Sequence, residues 1–193
     1  KTVSVASTAP GALTQNNFYG LRVEDKEISL NVPDVINIVG VFESLDTNLP
    51  SFDKLTFIAG LNLDTASILG EKIIGAESGA IAQLTERSSA TEVEIVYLTQ
   101  TKFIPGESVT FEESNITTNL QTITLGIHLD ISDRYTLDKG HKEQYLDYSK
   151  IVRVAGLPKP TRKVTVIYNR YNVPDSDNGD IFTVASYDDR RFL

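Results

Sequence analysis

The chain has 193 residues, of which 40% are hydrophobic and 23% charged, and its formal net charge is −8. Because this charge repels nucleic acid and anionic membrane surfaces, we expect neither as a partner. The absence of Cys excludes disulfides, thiolate metal sites and cysteine nucleophiles. No apolar run approaches the roughly 18 residues that span a bilayer. Since the chain contains no Met, and so no initiator Met, it is either processed or a segment of a longer protein, and we expect the segment.

Strand signals begin near residue 18. Segments 18–23, 27–30 and 36–42 are short and rich in β-branched and aromatic residues, which favour a pleated, half-buried surface. Segment 1–17 is instead rich in Thr, Ser, Ala and Asn. It is too polar for a core of its own, and we expect an extended linker or docking segment.

The middle of the chain contains an internal repeat. Residues 70–79 align with residues 106–115, 36 positions later, and Leu84 matches Leu120. Each copy has a Gly-Glu turn, a short strand, a Ser-Gly or Ser-Asn turn and a second strand. Gly and Asn tolerate the positive φ of tight hairpin turns. The repeat predicts a compact barrel or sandwich module over 49–126.

Further strands are predicted toward the end of the chain. Segments 92–98, 163–168 and 181–184 are short β-branched or aromatic runs. Because the polar loop 174–180 separates the last two, we expect them to form a hairpin.

One helix is predicted, over 139–151. Asp138 is a suitable N-cap, and the segment contains helix-tolerant residues, although Gly140 weakens it. Sustained helical periodicity occurs nowhere else. The expected fold is therefore all-β and mainly antiparallel with one short helix, as a β domain carrying an inserted small barrel or sandwich module.

Catalytic signals are weak. Neither His128 nor His141 lies in a metal-ligand spacing, and no Gly-x-Ser-x-Gly motif accompanies them. Several carboxylates gather in sequence, as a glycosidase pair would require, but capping and pairing with neighbouring basic residues explain them more simply. These carboxylates are Asp130, Asp133, Asp138, Glu143 and Asp147. We expect no enzyme activity, no cofactor and no metal site.

Residues 175–180 resemble the opening of a calcium-binding loop. The twelfth position of that loop would be Ser186 rather than the bidentate Glu of an EF-hand. A looser calcium-binding hairpin remains the alternative to a plain turn.

Charge is unevenly distributed along the chain. Residues 1–149 carry 10 basic and 21 acidic side chains, a net of −11, whereas residues 150–193 carry 8 basic and 5 acidic, a net of +3. No acid occurs over 150–170. This strip predicts either a basic face that docks on an acidic surface or solvated strand edges that discourage unwanted pairing. The candidate interface residues are Arg153, Lys159, Arg162 and Lys163.

Several segments resemble large virion structural proteins of contractile-tailed phages, notably those that infect cyanobacteria. The most specific is 132–149, an aromatic strand followed by Asp-x-Gly, a polar trio and aromatic-x-Asp-Tyr. Segments 32–44, 151–161, 164–168 and 179–187 are similar to parts of the same family. The Gly-Glu repeat also resembles β modules that decorate phage tail proteins.

This resemblance implies an architecture and a function. Residues 18–48 and 127–193 would form one β domain, with 49–126 inserted into it. The chain would be a structural component of a phage tail, baseplate or fibre in the virion. It would be oligomeric in the particle, with other virion proteins or copies of itself as partners. The alternative is a host-receptor or carbohydrate-binding module of the tail, in which Tyr97, Tyr168 and Tyr171 would supply aromatic faces.

Overall fold

The structure, a computed structural model, describes residues 2–3, 19–20, 22–60, 62–142 and 145–171. Among these residues the strands, in chain order, are β1 (Thr2–Val3), β2 (Tyr19–Gly20), β3 (Glu27–Ser29), β4 (Val35–Ser44), β5 (Asp53–Phe57), β6 (Lys72–Gly75), β7 (Ile81–Arg87), β8 (Glu92–Tyr97), β9 (Ser108–Phe111), β10 (Ile116–Thr124), β11 (His128–Asp130), β12 (Tyr135–Asp138), β13 (His141–Lys142), β14 (Tyr145–Leu146), β15 (Lys150–Arg153) and β16 (Val164–Arg170). One α-helix, α1 (Leu63–Ala66), and a 3₁₀ turn (Ser132–Arg134) complete the described elements.

Two sheets pack together as a sandwich. The first has the order β1-β16-β4-β11 and the second β12-β15-β3-β2, while β13 and β14 form a separate hairpin. The pairing of β2 with β3 is parallel, and every other described pairing is antiparallel. Alternate residues of both sheets face one core, because successive side chains of a strand point to opposite faces. The buried members of this core are Val23, Ile28, Leu30, Val35, Val41, Ile131, Tyr135, Ile151, Val164 and Val166.

The six strands β5 to β10 close into a barrel with the order β10-β5-β8-β7-β6-β9. Its core is a second, separate cluster that includes Leu55, Phe57, Leu84, Ile95 and Phe111. Along the chain, all six strands come after β4 and before β11 of the sandwich. These two sandwich strands pair with each other, with His128 opposite Ser44. The described chain is therefore an all-β fold that carries a small barrel, and the predicted fold class is confirmed.

The barrel has an internal pseudo-two-fold symmetry. Strands β5-β6-β7 form one unit and β8-β9-β10 the second, and the two middle strands pair with Ile74 opposite Thr110. These two residues are 36 positions apart, so the pseudo-axis passes between them. Bulges recur at matching places, after Leu84 in β7 and after Leu120 in β10. The repeat detected in the sequence is thus a structural duplication that closes one core.

The predicted helix over 139–151 is wrong, because the described part of this segment forms the β13–β14 hairpin and continues into β15. Gly140 has a φ of +77°, in the left-handed region that ends a helix. A Cβ at this position would lie 2.4 Å from the Asp147 carbonyl oxygen. The close approach is part of the hairpin, since the Asp147 N–H donates to the Gly140 carbonyl.

The described helix is instead α1, within the barrel. Asn62 caps it by accepting a hydrogen bond from the Asp64 N–H, and Leu63 buries its side chain in the barrel core. The predicted strands 27–30, 36–42, 92–98 and 163–168 correspond to β3, β4, β8 and β16, whereas the described residues of segment 18–23 include the two-residue strand β2. The predicted strand 181–184, the calcium-type loop 175–180 and most of the predicted linker 1–17 lie outside the described residues.

Candidate functional site

Two carboxylates are buried in the barrel, each beside the Gly of a Gly-Glu turn. Glu71 and Glu107 are 0% and 1% exposed. Glu107 accepts hydrogen bonds from the Ser78 N–H at 3.0 Å, the Ser78 hydroxyl at 2.9 Å and the Ile104 N–H at 2.6 Å. Burial opposes ionisation of Glu107, but these bonds and a further one from the Glu77 N–H outweigh it, so its pKa lies below the ordinary value. The carboxylate is held as a structural anion.

The arrangement around Glu71 is equivalent. Its carboxylate accepts from the Ser114 N–H and hydroxyl, both at 2.9 Å, and from the Ile68 N–H at 2.6 Å. Each Glu therefore binds the turn of its own unit and the Ser turn of the other. We call these two arrangements the crossed clasps. Because both carboxylates are committed to the fold, neither is available for chemistry.

The first surface of interest is a cleft beside the end of β15, which we call the first cleft. It is lined by Glu24, Lys26, Arg153, Val154, Ala155, Gly156, Leu157 and Lys159. Lys26 and Lys159 are exposed, and Val154 and Leu157 present large apolar side chains to solvent. Three cations against one carboxylate, beside exposed aliphatic groups, suit an acidic partner segment that also carries apolar side chains.

Arg153 is partly committed within this cleft. Its Nη1 donates to the Glu24 carbonyl at 3.3 Å, so the guanidinium also holds the β2–β3 connection in place. Backbone pairing brings Lys26 to the same place, because the Arg153 N–H donates to the Lys26 carbonyl at 2.8 Å. Lys26 and Lys159 are consequently the two cations of this cleft that face solvent most freely.

A second cleft lies before β16 and is lined by Asp46, Thr47, Thr161, Arg162 and Lys163. The loop beneath it is fixed by Glu43, a buried carboxylate that accepts from the N–H groups of Thr161 and Arg162 at 2.6 and 3.0 Å. The pKa of Asp46 is lowered, chiefly by the hydrogen bond from the Asn48 N–H and to a smaller degree by the Arg162 charge. Part of the positive charge here is thus balanced within the chain.

The structure therefore divides the four predicted interface residues between two clefts. Arg153 and Lys159 line the first, and Arg162 and Lys163 line the second. Lys26 was missed by sequence reasoning because it lies far from the basic strip in the chain. Only the pairing of β3 with β15 brings it there, and no local pattern in the sequence signals that contact.

A third concave surface lies where the barrel meets the sandwich. Its lining includes Asp53, Tyr97, Lys102, His128 and Asp130. Lys102 Nζ lies 3.7 Å above the Tyr97 ring and 3.7 Å from the Asp53 carboxylate. Lysine therefore covers one face of the Tyr97 ring. Burial raises the pKa of the Tyr97 hydroxyl, which accepts from the Phe103 N–H. These contacts make Tyr97 a poor sugar platform.

The other aromatic candidates lie elsewhere. Tyr168 is half-buried against the sandwich core, and Tyr171, just beyond β16, is strongly exposed. Among the three tyrosines proposed for glycan binding, Tyr171 alone thus presents most of its side chain to solvent.

The histidines and three of the five clustered carboxylates make local contacts, and Glu143 lies outside the described residues. His128 contacts the Ser51 carbonyl through Nδ1 at 2.8 Å, and His141 lies 3.1 Å from the Asp34 carboxylate. Asp130 caps the Ser132 N–H, Asp138 caps the Gly140 N–H and Asp147 caps the Tyr148 N–H. Capping was the expected explanation for these carboxylates. Within the described ranges, no three His, Asp or Glu side chains converge on a point where they could hold a metal ion.

Comparison of the chain with protein families, with curated proteins and with solved structures gave no match. In the part of the chain that the structure describes, no helix has the length and apolar character required to span a bilayer.

Proposed function

We propose that the chain is a structural component of a tailed-phage virion, in a tail, baseplate or fibre, and that it acts by binding other virion proteins or copies of itself. The likeness of segment 132–149 to phage structural proteins supports a place in a phage particle. The first cleft supports the proposal that the chain acts by binding other proteins. This cleft combines Lys26, Arg153 and Lys159 with the exposed Val154 and Leu157.

The chemistry of the first cleft favours a protein partner. Exposed ion pairs contribute only about 0–1 kcal/mol each, so the cations mainly steer and orient an acidic partner. Burial of Val154 and Leu157 would supply the apolar part of the contact, since removing apolar surface from water stabilises a complex. In the particle, other copies of the chain would supply an acidic partner, because residues 1–149 of each copy carry a net charge of −11.

Charge reversal in one cleft at a time tests this proposal. Lys26→Glu with Lys159→Glu changes the first cleft and spares Arg153, whose guanidinium supports the fold. Arg162→Glu with Lys163→Glu changes the second cleft. Lys72→Glu with Lys139→Glu makes the same change of charge at exposed positions outside the linings of both. All three variants should keep the wild-type melting temperature within a few degrees, which thermal unfolding would verify.

We expect the first-cleft variant to lower the yield of assembled particles strongly and the Lys72/Lys139 control to leave it unchanged. The rate of association should fall with added salt in the wild type and depend less on salt in the variant.

Normal particle yield from both cleft variants at low and physiological salt would contradict the proposal. Turnover of host polysaccharide that Asp133→Asn or Asp147→Asn abolishes would also contradict it. Binding of host glycans that Tyr171→Ala abolishes would support the alternative of host recognition.

A further inference from the structure

Strand β11 is an edge strand with an unusual exposed surface. In the described chain β4 pairs with one side of β11, and no strand pairs with the other side. Leu129 lies in the middle of the strand and is 42% exposed, and Ile127 just before it is 55% exposed. The strand is short and carries Asp130, but it contains no Lys, Pro or bulge, three of the devices that protect an edge from pairing with another chain.

The backbone directions of β11 follow from its partner strand. The Ser44 N–H donates to the Lys163 carbonyl, so Ser44 faces β16, and the Ile131 N–H donates to the Val41 carbonyl on the opposite side of β4. Because residues of an antiparallel strand alternate in direction, Glu43 faces β11 and Leu129 directs its backbone groups toward Glu43. The N–H and C=O groups of His128 and Asp130 therefore point outward, away from β4.

We propose that β11 pairs antiparallel with β11 of a second copy, about a two-fold axis at Leu129. This register places His128 of each copy opposite Asp130 of the other, so the four outward N–H groups meet four outward C=O groups. An isologous contact of this kind closes on itself and yields a dimer. The two four-stranded sheets would join into one continuous sheet. The proposal rests on the proposed function, because it names one of the contacts by which copies assemble.

Charge disfavours one of the neighbouring registers. A two-fold axis at Asp130 would place Asp130 opposite Asp130, and like charges directly opposite destabilise a pair. The axis at Leu129 instead sets a histidine against a carboxylate twice.

The side chains of β11 support the same pairing. Leu129 lies on the face of the sheet that carries Val41 and Ile131, two members of the sandwich core, but its position at the edge leaves it exposed. Residues at a two-fold axis in a non-hydrogen-bonded pair have Cα atoms about 4.5 Å apart. Leu129 of one copy would therefore contact Leu129 of the other and extend both cores across the edge.

Cysteine cross-linking of the full-length chain tests the register. The chain has no Cys, so Leu129→Cys introduces one thiol, and two such thiols on the axis are close enough for a disulfide. The matched control is Leu125→Cys, which at 74% exposure is more accessible but lies off the axis. Under mild oxidation we expect the covalent dimer to form at least tenfold faster with Leu129→Cys, as seen on a non-reducing gel. Equal rates for the two variants would overturn the proposal.

Sedimentation provides the second measurement. The wild type should dimerise reversibly as concentration rises, and Leu129→Lys should weaken dimerisation at least tenfold, while Leu125→Lys should leave it unchanged. A wild type that stays monomeric into the millimolar range would overturn the self-pairing, as would cross-linking of Leu129→Cys in particles to a different protein instead of a second copy. The charge-reversal test measures docking at other surfaces, so a failure of the β11 pairing can be distinguished from a failure of the proposed function.

Discussion

The Glu71 carboxylate accepts two hydrogen bonds from Ser114, 43 residues further along the chain. The Glu107 carboxylate makes the equivalent pair of contacts with Ser78, in the opposite direction along the chain. Strands add to this interlocking: β5 pairs with β8 and β10, and β8 pairs with β5 and β7. The first strand of each unit thus pairs only with strands of the other unit. The barrel is formed by two interdependent halves and cannot close with one.

Glu107→Gln should destabilise the barrel by about 2 kcal/mol or more. The substitution keeps the size of the side chain but replaces one acceptor oxygen with an NH₂ group that faces donors, which leaves buried N–H groups without an acceptor. Hydrogen bonds to charged groups contribute about 1.5–3 kcal/mol each. Urea unfolding monitored by circular dichroism would measure the change.

The control for this substitution is Glu112→Gln. Glu112 is exposed and lies 3.8 Å from Lys72 in a solvent-accessible ion pair. Its replacement should change the free energy of unfolding by no more than about 0.5 kcal/mol. Equal effects of the two substitutions would show that the crossed clasps add nothing beyond an ordinary surface carboxylate.

The same carboxylate predicts how stability depends on pH. The pKa of Glu107 is lower in the folded protein than its ordinary value of about 4.3, because the hydrogen bonds to its ionised form outweigh burial. The stabilisation is therefore complete above that ordinary value and is lost as pH falls through the folded-state pKa. Urea unfolding between pH 7 and pH 3 should show a decline that is smaller in Glu107→Gln. Parallel pH profiles for the two proteins would contradict this.

Gly140→Ala should be strongly destabilising, by about 2–4 kcal/mol. A Cβ at Gly140 would lie 2.4 Å from the Asp147 carbonyl oxygen, so steric overlap adds to the strain of a positive φ. Gly156 is the matched control, since its φ is +85° but no atom lies within 4 Å of the added Cβ. Gly156→Ala should therefore cost only about 1 kcal/mol, from backbone strain alone. Thermal or urea unfolding of both variants would measure the two losses of stability. Equal losses would show that the close contact at Gly140 does not contribute.

The features that sequence predicted correctly are local or repeated. Strands β8 and β16 have β-branched runs bounded by polar residues, and the 36-residue repeat preserves its Gly-Glu turns. The predicted helix failed because Gly140 takes up a left-handed conformation and because the β15 residues pair with β3 and β12. Those pairings are tertiary, and tertiary contacts override weak helical propensity.

The candidate surfaces were harder to predict, for the same reason. The basic strip is visible in the sequence, but its division into two clefts depends on how the loop before β16 folds over Glu43. The sequence does contain a signal for the crossed clasps. The same Glu and the same Ser recur at matching positions of both repeats, which in a pseudo-symmetric barrel favours reciprocal contacts.

Deletion of 49–126 should leave a folded sandwich. The barrel has its own core, and β4 and β11, which flank the deleted segment, pair directly with His128 opposite Ser44. After deletion, residues 45–48 and Ile127 would connect these two strands as a short hairpin loop, a length that natural hairpins use. Phe42 loses its contact with Phe52, 5.1 Å between ring centroids, and becomes exposed. Phe42→Thr in the deleted chain should therefore improve solubility without loss of strand content. Circular dichroism and a cooperative thermal transition are the measurements, and an unfolded remainder beside a stable full chain would show that the sandwich depends on the barrel.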